Sequence, residues 1–249
     1  MQQAVFGRSE EVEGLRQRLV ARQTFLLHGS TGVGKTLLLL HIAPQFPEML
    51  YSPQNVMPQM MYGSLSKSLL AAGHPVLAKA CPNGIASLLA KSAICVRGLV
   101  REALRDSKYM VVVDHLTRPS QALAGCLREL MQSCSVPVIA VARSVHMEDA
   151  GFVLPLFPDR AARVHLRNFG PEMSRQFAAA RARTEGLKAR NLAQFLERVV
   201  DYSEGNPGAM LQMIHLATQP RYCTEDQIKI APLYIDYKLA TVSPPSGAG

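Results

Sequence analysis

Eight consecutive residues, Gly29, Ser30, Thr31, Gly32, Val33, Gly34, Lys35 and Thr36, carry the most specific chemistry in the chain. Their spacing, G-x-x-x-x-G-K-[ST], is that of a phosphate-binding loop. Small residues let successive backbone N–H groups converge on an anion, and the positive end of the helix that follows adds to the attraction. Lys35 offers a point charge to β- and γ-phosphates, and the Thr36 hydroxyl offers an oxygen to Mg²⁺. Downstream, Tyr109-Met110-Val111-Val112-Val113-Asp114 is an apolar run ending on a carboxylate. That pattern predicts a buried parallel strand with a carboxylate, Asp114, at its C-terminal end.

The loop needs a strand before it and a helix after it, and residues 24–28 and 37–43 supply an apolar run on each side. Further strands are predicted at 49–51, 136–142 and 161–166. Leu65, Leu69 and Leu70 space a helix over 63–72, stopped by Gly73-His74-Pro75. One longer helix is predicted over 85–104 and another over 121–132. Ser9 is the expected N-cap of a first helix carrying Leu15 and Leu19. From Gly170-Pro171 the pattern turns helical, with a second helix over 191–202 and a third over 209–217. The expected organisation is a core over 1–168, a helical lid over 169–220 and a partly disordered tail over 221–249.

With 249 residues, 48% of them hydrophobic and 18% charged, the chain can bury a sizeable core. The apolar run 37–43 is too short to cross a bilayer, and the first residues lack a basic stretch followed by an apolar one. A cytoplasmic protein with no membrane association is the expectation. Five cysteines without a C-x-x-C pair read as reduced, mostly buried thiols. The net charge is +8. Residues 159–190 hold eight basic side chains (Arg160, Arg163, Arg167, Arg175, Arg181, Arg183, Lys188, Arg190) against three acidic ones, so that segment supplies much of the excess. An acidic partner, DNA or protein, is the corresponding expectation.

Val5-Phe6-Gly7-Arg8, the phosphate loop, the strand ending in Asp114, Arg143 at the end of the next apolar strand, and Gly205-Asn206-Pro207-Gly208 together resemble the AAA+ and STAND ATPases. The resemblance covers about residues 4–219. It implies an α/β fold: a three-layer P-loop NTPase core with a parallel five-stranded sheet in the order 5-1-4-3-2 and a C-terminal helical lid. It also implies ATP and Mg²⁺ as cofactors, at the carboxyl ends of the strands. By this resemblance Val5, Phe6 and Gly7 line the base pocket, and Asp114 is the Walker B acid. Arg143 takes the sensor 1 position beside the γ-phosphate, and Pro207 approaches the nucleotide from the lid. Arg160 or Arg163 would reach a neighbour's site in an ATP-dependent homo-oligomer.

The chain departs from that pattern in two places. Many such ATPases place Glu after the Walker B Asp as the base that activates water; here His115 stands there, a side chain of different reach. No arginine follows the Gly-Asn-Pro-Gly turn, so no sensor 2 residue is carried over. The expected function is an ATP-binding molecular switch with slow hydrolysis, Lys35, Asp114, His115 and Arg143 being the catalytic candidates. The alternatives are a nucleic-acid-associated ATPase similar to origin-recognition or transposition ATPases, and a small-molecule kinase on the same loop.

Overall fold

A computed structural model describes residues 5–53, 57–224 and 226–242. Residues 54–56 of the expected polar loop and residues 243–249 of the expected tail lie outside the described residues. The chain divides into two compact units. The first comprises Met1–Gly29 and Lys35–Leu166; the second comprises Ser30–Gly34 and Arg167–Gly249.

The first unit opens with α1 (Ser9–Val20), then β1 (Phe25–His28), α2 (Lys35–Ile42) and β2 (Met49–Ser52). Next come α3 (Pro58–Ala71), α4 (Pro75–Ala80), α5 (Ile85–Leu89) and α6 (Ala93–Leu104). It closes with β3 (Met110–Leu116), α7 (Gln121–Ser133), β4 (Val138–Ala142) and β5 (Arg163–His165). The five strands form one parallel sheet in the order β2-β3-β4-β1-β5, which is the expected order read from the other edge. Phe25, Leu26 and Leu27 are fully buried in β1, as are Val111, Val112 and Val113 in β3. Continuous apolar strands of this kind are what a sheet covered on both faces requires. Arg22 closes the entry side of the sheet by donating to the carbonyls of Ser107, Lys108 and Tyr109.

Several local expectations are corrected. Ser9 is the first helical residue of α1; Arg8 precedes it, and among the described residues no side chain caps the helix. The single helix expected over 85–104 is two, α5 and α6, separated at residues 90–92. Ser92 caps the second by accepting from the Cys95 N–H (3.3 Å). Of the apolar residues that suggested continuity, Leu88, Val100 and Leu104 are buried, whereas Leu89 and Ile94 face solvent with exposures of 70% and 84%. α4 adds a short helix after the break at Gly73-His74, and β5 is shorter than expected, preceded by a 3₁₀ turn over Arg160–Ala162.

The second unit contains α8 (Pro171–Thr184), α9 (Leu192–Ser203) and α10 (Pro207–Ala217). A two-strand hairpin follows, β6 (Cys223–Thr224) with β7 (Gln227–Ile228), and then α11 (Ile230–Val242). Part of the segment set apart in the sequence as a tail shares this unit's core. Tyr222, Ile228 and Leu233 are buried with Phe195, Val199, Met210 and Ile214, and the Tyr222 hydroxyl donates to Asp236 Oδ2 (2.6 Å). Among the described residues no helix is long and apolar enough to cross a membrane.

Candidate functional site

β1 runs into Gly29, and the chain re-enters helix at Lys35, so the motif occupies a strand-to-helix connection. Gly32 and Gly34 have φ of +83° and +103°. L side chains avoid that region, so glycine at these two positions follows from the backbone path. Inside the first unit, Lys35 Nζ donates to the Gly29 carbonyl (2.6 Å). Burial, with repulsion from Arg143, lowers the Lys35 pKa against the opposing attraction of Asp114 and Asp149.

Asp114 is the centre of the site. It is a fully buried carboxylate, and burying a charge is costly unless it is paired and hydrogen-bonded. Thr36 Oγ1 donates to its Oδ2 (2.7 Å), the Tyr51 hydroxyl donates to the same oxygen (2.5 Å), and the His115 N–H donates to Oδ1 (2.6 Å). Burial first, then the hydrogen bond to Asp114, raises the Tyr51 pKa well above the usual tyrosine range. The parallel pairing Tyr51↔Val112 and Ser52↔Val113 sets β2 beside β3 and brings that hydroxyl to the acid.

The sheet has an irregularity at this point. Val113 pairs with Ala140 but Leu116 pairs with Ala142, so β3 spends three residues where β4 spends two. His115 absorbs the extra residue at φ +54°. Bulges of this kind re-aim side chains beside active sites. Here Asp114 turns inward, while the His115 ring is 64% exposed and its Nε2 stands 3.7 Å from Asp114 Oδ2.

Arg143 follows β4 with its side chain 62% exposed, 4.0 Å from Asp149 Oδ1. Ser144 donates to the other oxygen of Asp149 (2.6 Å). Val5, Phe6 and Gly7 form a turn before α1; Phe6 is exposed, and Arg8 is buried against Glu11 (2.6 Å). Arg163 is occupied within its own segment, its Nε donating to the Phe157 carbonyl (2.8 Å), whereas Arg160 is exposed. In the second unit Pro207 is buried as the first residue of α10.

The structure therefore brings Thr36 and Asp114 together and places Lys35 in the electrostatic field of both Asp114 and Arg143. It adds Tyr51, which the sequence reading treated as part of a strand only. A polar hydroxyl in a buried strand must find a partner, and that signal was present. The donor set fits Mg²⁺: Thr36 Oγ1 and Asp114 Oδ2 are hard oxygens 2.7 Å apart, and Mg²⁺ is commonly held by one or two protein oxygens with phosphates and waters. Among the described residues no cluster of three His, Cys, Asp or Glu suggests another metal centre.

Sheet order, strand-loop-helix connection and buried acid define an α/β P-loop NTPase fold. The chain is similar to a Walker-type ATPase of Pyrococcus abyssi, with a TM-score of 0.59 and 16% identity over 97% of this chain and 76% of that one. It is also similar to the Aeropyrum pernix ORC1 protein, solved in complex with DNA (TM-score 0.60, 16% identity, 94% of this chain and 65% of that one). A third similar structure is a STAND protein with a tetratricopeptide repeat sensor from Pyrococcus horikoshii (TM-score 0.54, 14% identity, 94% of this chain). The chain thus spans less than two thirds of the ORC1 chain and 32% of the STAND chain. No family model matches the sequence, and no curated protein does.

Proposed function

We propose that this chain binds ATP with Mg²⁺ through residues 29–36 and Asp114, and that it works as a nucleotide-dependent switch with slow hydrolysis. The observation that carries this reading is the environment of Asp114. It is buried and held by Thr36, Tyr51 and the His115 N–H, while the next side chain is a solvent-facing histidine. Asp114 and Thr36 would hold Mg²⁺, which when bound neutralises charge on the β- and γ-phosphates. Lys35 supplies the fixed cation, and Arg143 is assigned to the γ-phosphate end. Val5, Phe6 and Gly7 are assigned to the adenine. No carboxylate follows Asp114 to take a proton from water, so holding ATP is better provided for than cleaving it.

Isothermal titration of the wild type and Lys35→Ala with ATP and Mg²⁺ tests the proposal. Wild-type binding that weakens roughly 10- to 100-fold in the variant is expected from loss of charge-assisted hydrogen bonds. A wild type that does not bind ATP sinks it. Mass photometry with and without ATP reports whether the switch drives self-assembly.

A second reading, attachment to DNA, is favoured by one observation: a structure of the same fold is an ORC1 protein in complex with DNA. This chain exposes Arg167, Arg175, Arg183, Lys188 and Arg190 on its second unit. Two ion pairs, Arg175 with Glu172 and Arg181 with Glu185, absorb part of that charge. A gel shift at low and at moderate salt decides this reading, because phosphate contacts lose affinity steeply as salt rises.

A further inference from the structure

Residues Ser30–Gly34 pack within the second unit, and the residue that holds them is Asn206. Its Oδ1 caps α10 by accepting from the Ala209 N–H (3.1 Å). Its Nδ2 donates to the Thr31 carbonyl (2.8 Å) and to Ser30 Oγ (3.1 Å). Ser30 Oγ in turn donates to Asn168 Oδ1 (3.0 Å), and Asn168 Nδ2 donates to the Glu204 carbonyl (3.1 Å). Two residues beyond Asn206, the Gly208 N–H donates to the Gly32 carbonyl (3.0 Å).

The approach is backbone on backbone. A Cβ on Gly208 would lie 2.7 Å from the Gly32 Cα, and one on Gly32 would lie 2.7 Å from Asn206 Oδ1. Neither position admits a side chain without moving its neighbour.

A trans peptide points its N–H opposite to the C=O it shares. Holding the Thr31 carbonyl therefore fixes the direction of the Gly32 N–H, and holding the Gly32 carbonyl fixes that of the Val33 N–H. The Ser30 carbonyl accepts from the Val33 N–H at 3.3 Å and closes the turn. We infer that Asn206 and Gly208 are positioning residues for the phosphate loop. They grip its carbonyls from one side, so that the Gly32 amide is presented on the other side to a polyphosphate. This inference rests on the ATP reading and assigns the lid turn a function apart from Pro207: it shapes the anion nest itself.

Asn206→Ser separates the two functions of the residue, because serine still caps a helix but has no Nδ2 to reach the loop. Two measurements on wild type and variant test the inference: calorimetry with tripolyphosphate and with ATP and Mg²⁺, and amide hydrogen exchange at Gly32 and Val33 in the nucleotide-free protein. About tenfold weaker binding of both ligands is expected, with faster exchange at both amides and a melting temperature within about 2 °C of wild type. Wild-type affinity together with unchanged exchange overturns the inference. Gly208→Ala, which forces the two backbones apart, should reproduce the loss; if it fails to fold, Asn206→Ser decides alone. A wild type that binds neither ligand refutes the ATP reading, and the exchange comparison then still decides whether Asn206 holds the loop.

Discussion

Removing the Tyr51 hydroxyl tests how the buried acid is stabilised. Asp114 accepts hydrogen bonds from Thr36, Tyr51 and the His115 N–H, and Tyr51→Phe deletes one while leaving the other two in place. A hydrogen bond to a charged group is worth about 1.5–3 kcal/mol. Tyr51 is only part-buried, so the lower end, about 1.5–2 kcal/mol, is expected, or a melting temperature about 3–8 °C lower. In Asp114→Asn the amide oxygen can still face the His115 N–H, and its NH₂ can donate to the two hydroxyls. The same Tyr51→Phe change should then cost only about 0.5–1 kcal/mol, as for a neutral hydrogen bond. Urea unfolding of the four proteins at neutral pH gives the coupling, expected near 1 kcal/mol. The pH dependence has a fixed sign. The Tyr51 pKa is raised on folding, so its contribution is complete below the unfolded value, about 10, and is lost as pH rises past it. The gap between wild type and variant should therefore be flat from pH 6 to about 9. Additive stabilities, within about 0.3 kcal/mol, would refute the reasoning.

Two further predictions concern His28, which leads into the loop, and Gly205, which leads into α10. His28 stacks on His165 at 4.7 Å with the rings 2° from parallel, and burial, then His165, Lys35 and Arg163, lower its pKa to about 4. Stability from this group is complete above the unfolded value near 6.5 and is lost as pH falls from there toward 4. His28→Gln should flatten the acid limb of a melting-temperature profile by about 1–2 kcal/mol after allowance for solvent screening; an unchanged limb would exclude His28 as its source. Gly205 has φ +76°, and a Cβ there would stand 2.2 Å from the Phe169 carbonyl oxygen. Gly205→Ala should cost more than about 2 kcal/mol in urea unfolding, and a neutral result would mean that this turn adjusts freely.

The fold was legible in the sequence wherever a signal was local. The apolar runs ending at His28, Asp114 and Ala142 are strands, and Gly32 and Gly34 have the backbone angles that their motif requires. Periodicity misled where apolar side chains face solvent: Leu89 and Ile94 joined two helices that Ser92 separates. Asp114 and Thr36 were legible as partners because their motif is shared by many chains. Tyr51 was not, since its contact depends on the lateral pairing of β2 with β3. Nor was the grip of Asn206 on Thr31, across a sequence separation of 175. The turn around Asn206 is readable from its composition, but what it turns against is a property of the packed unit.

Gly32 and Gly208 meet without any side chain between them, and this constrains how the sequence can drift. A larger residue at Gly208 cannot be absorbed by a rotamer change, because it meets the Gly32 main chain, and one at Gly32 meets Asn206 Oδ1 at a φ of +83° that L side chains avoid. Compensation would have to come from the path of the loop or of the turn, and each is already held by hydrogen bonds. The two positions therefore form a single inherited unit. In diverging copies of this chain they should be kept together or lost together, and on the proposed ATP reading the loss of one glycine would mark a lineage in which the loop has ceased to hold phosphate.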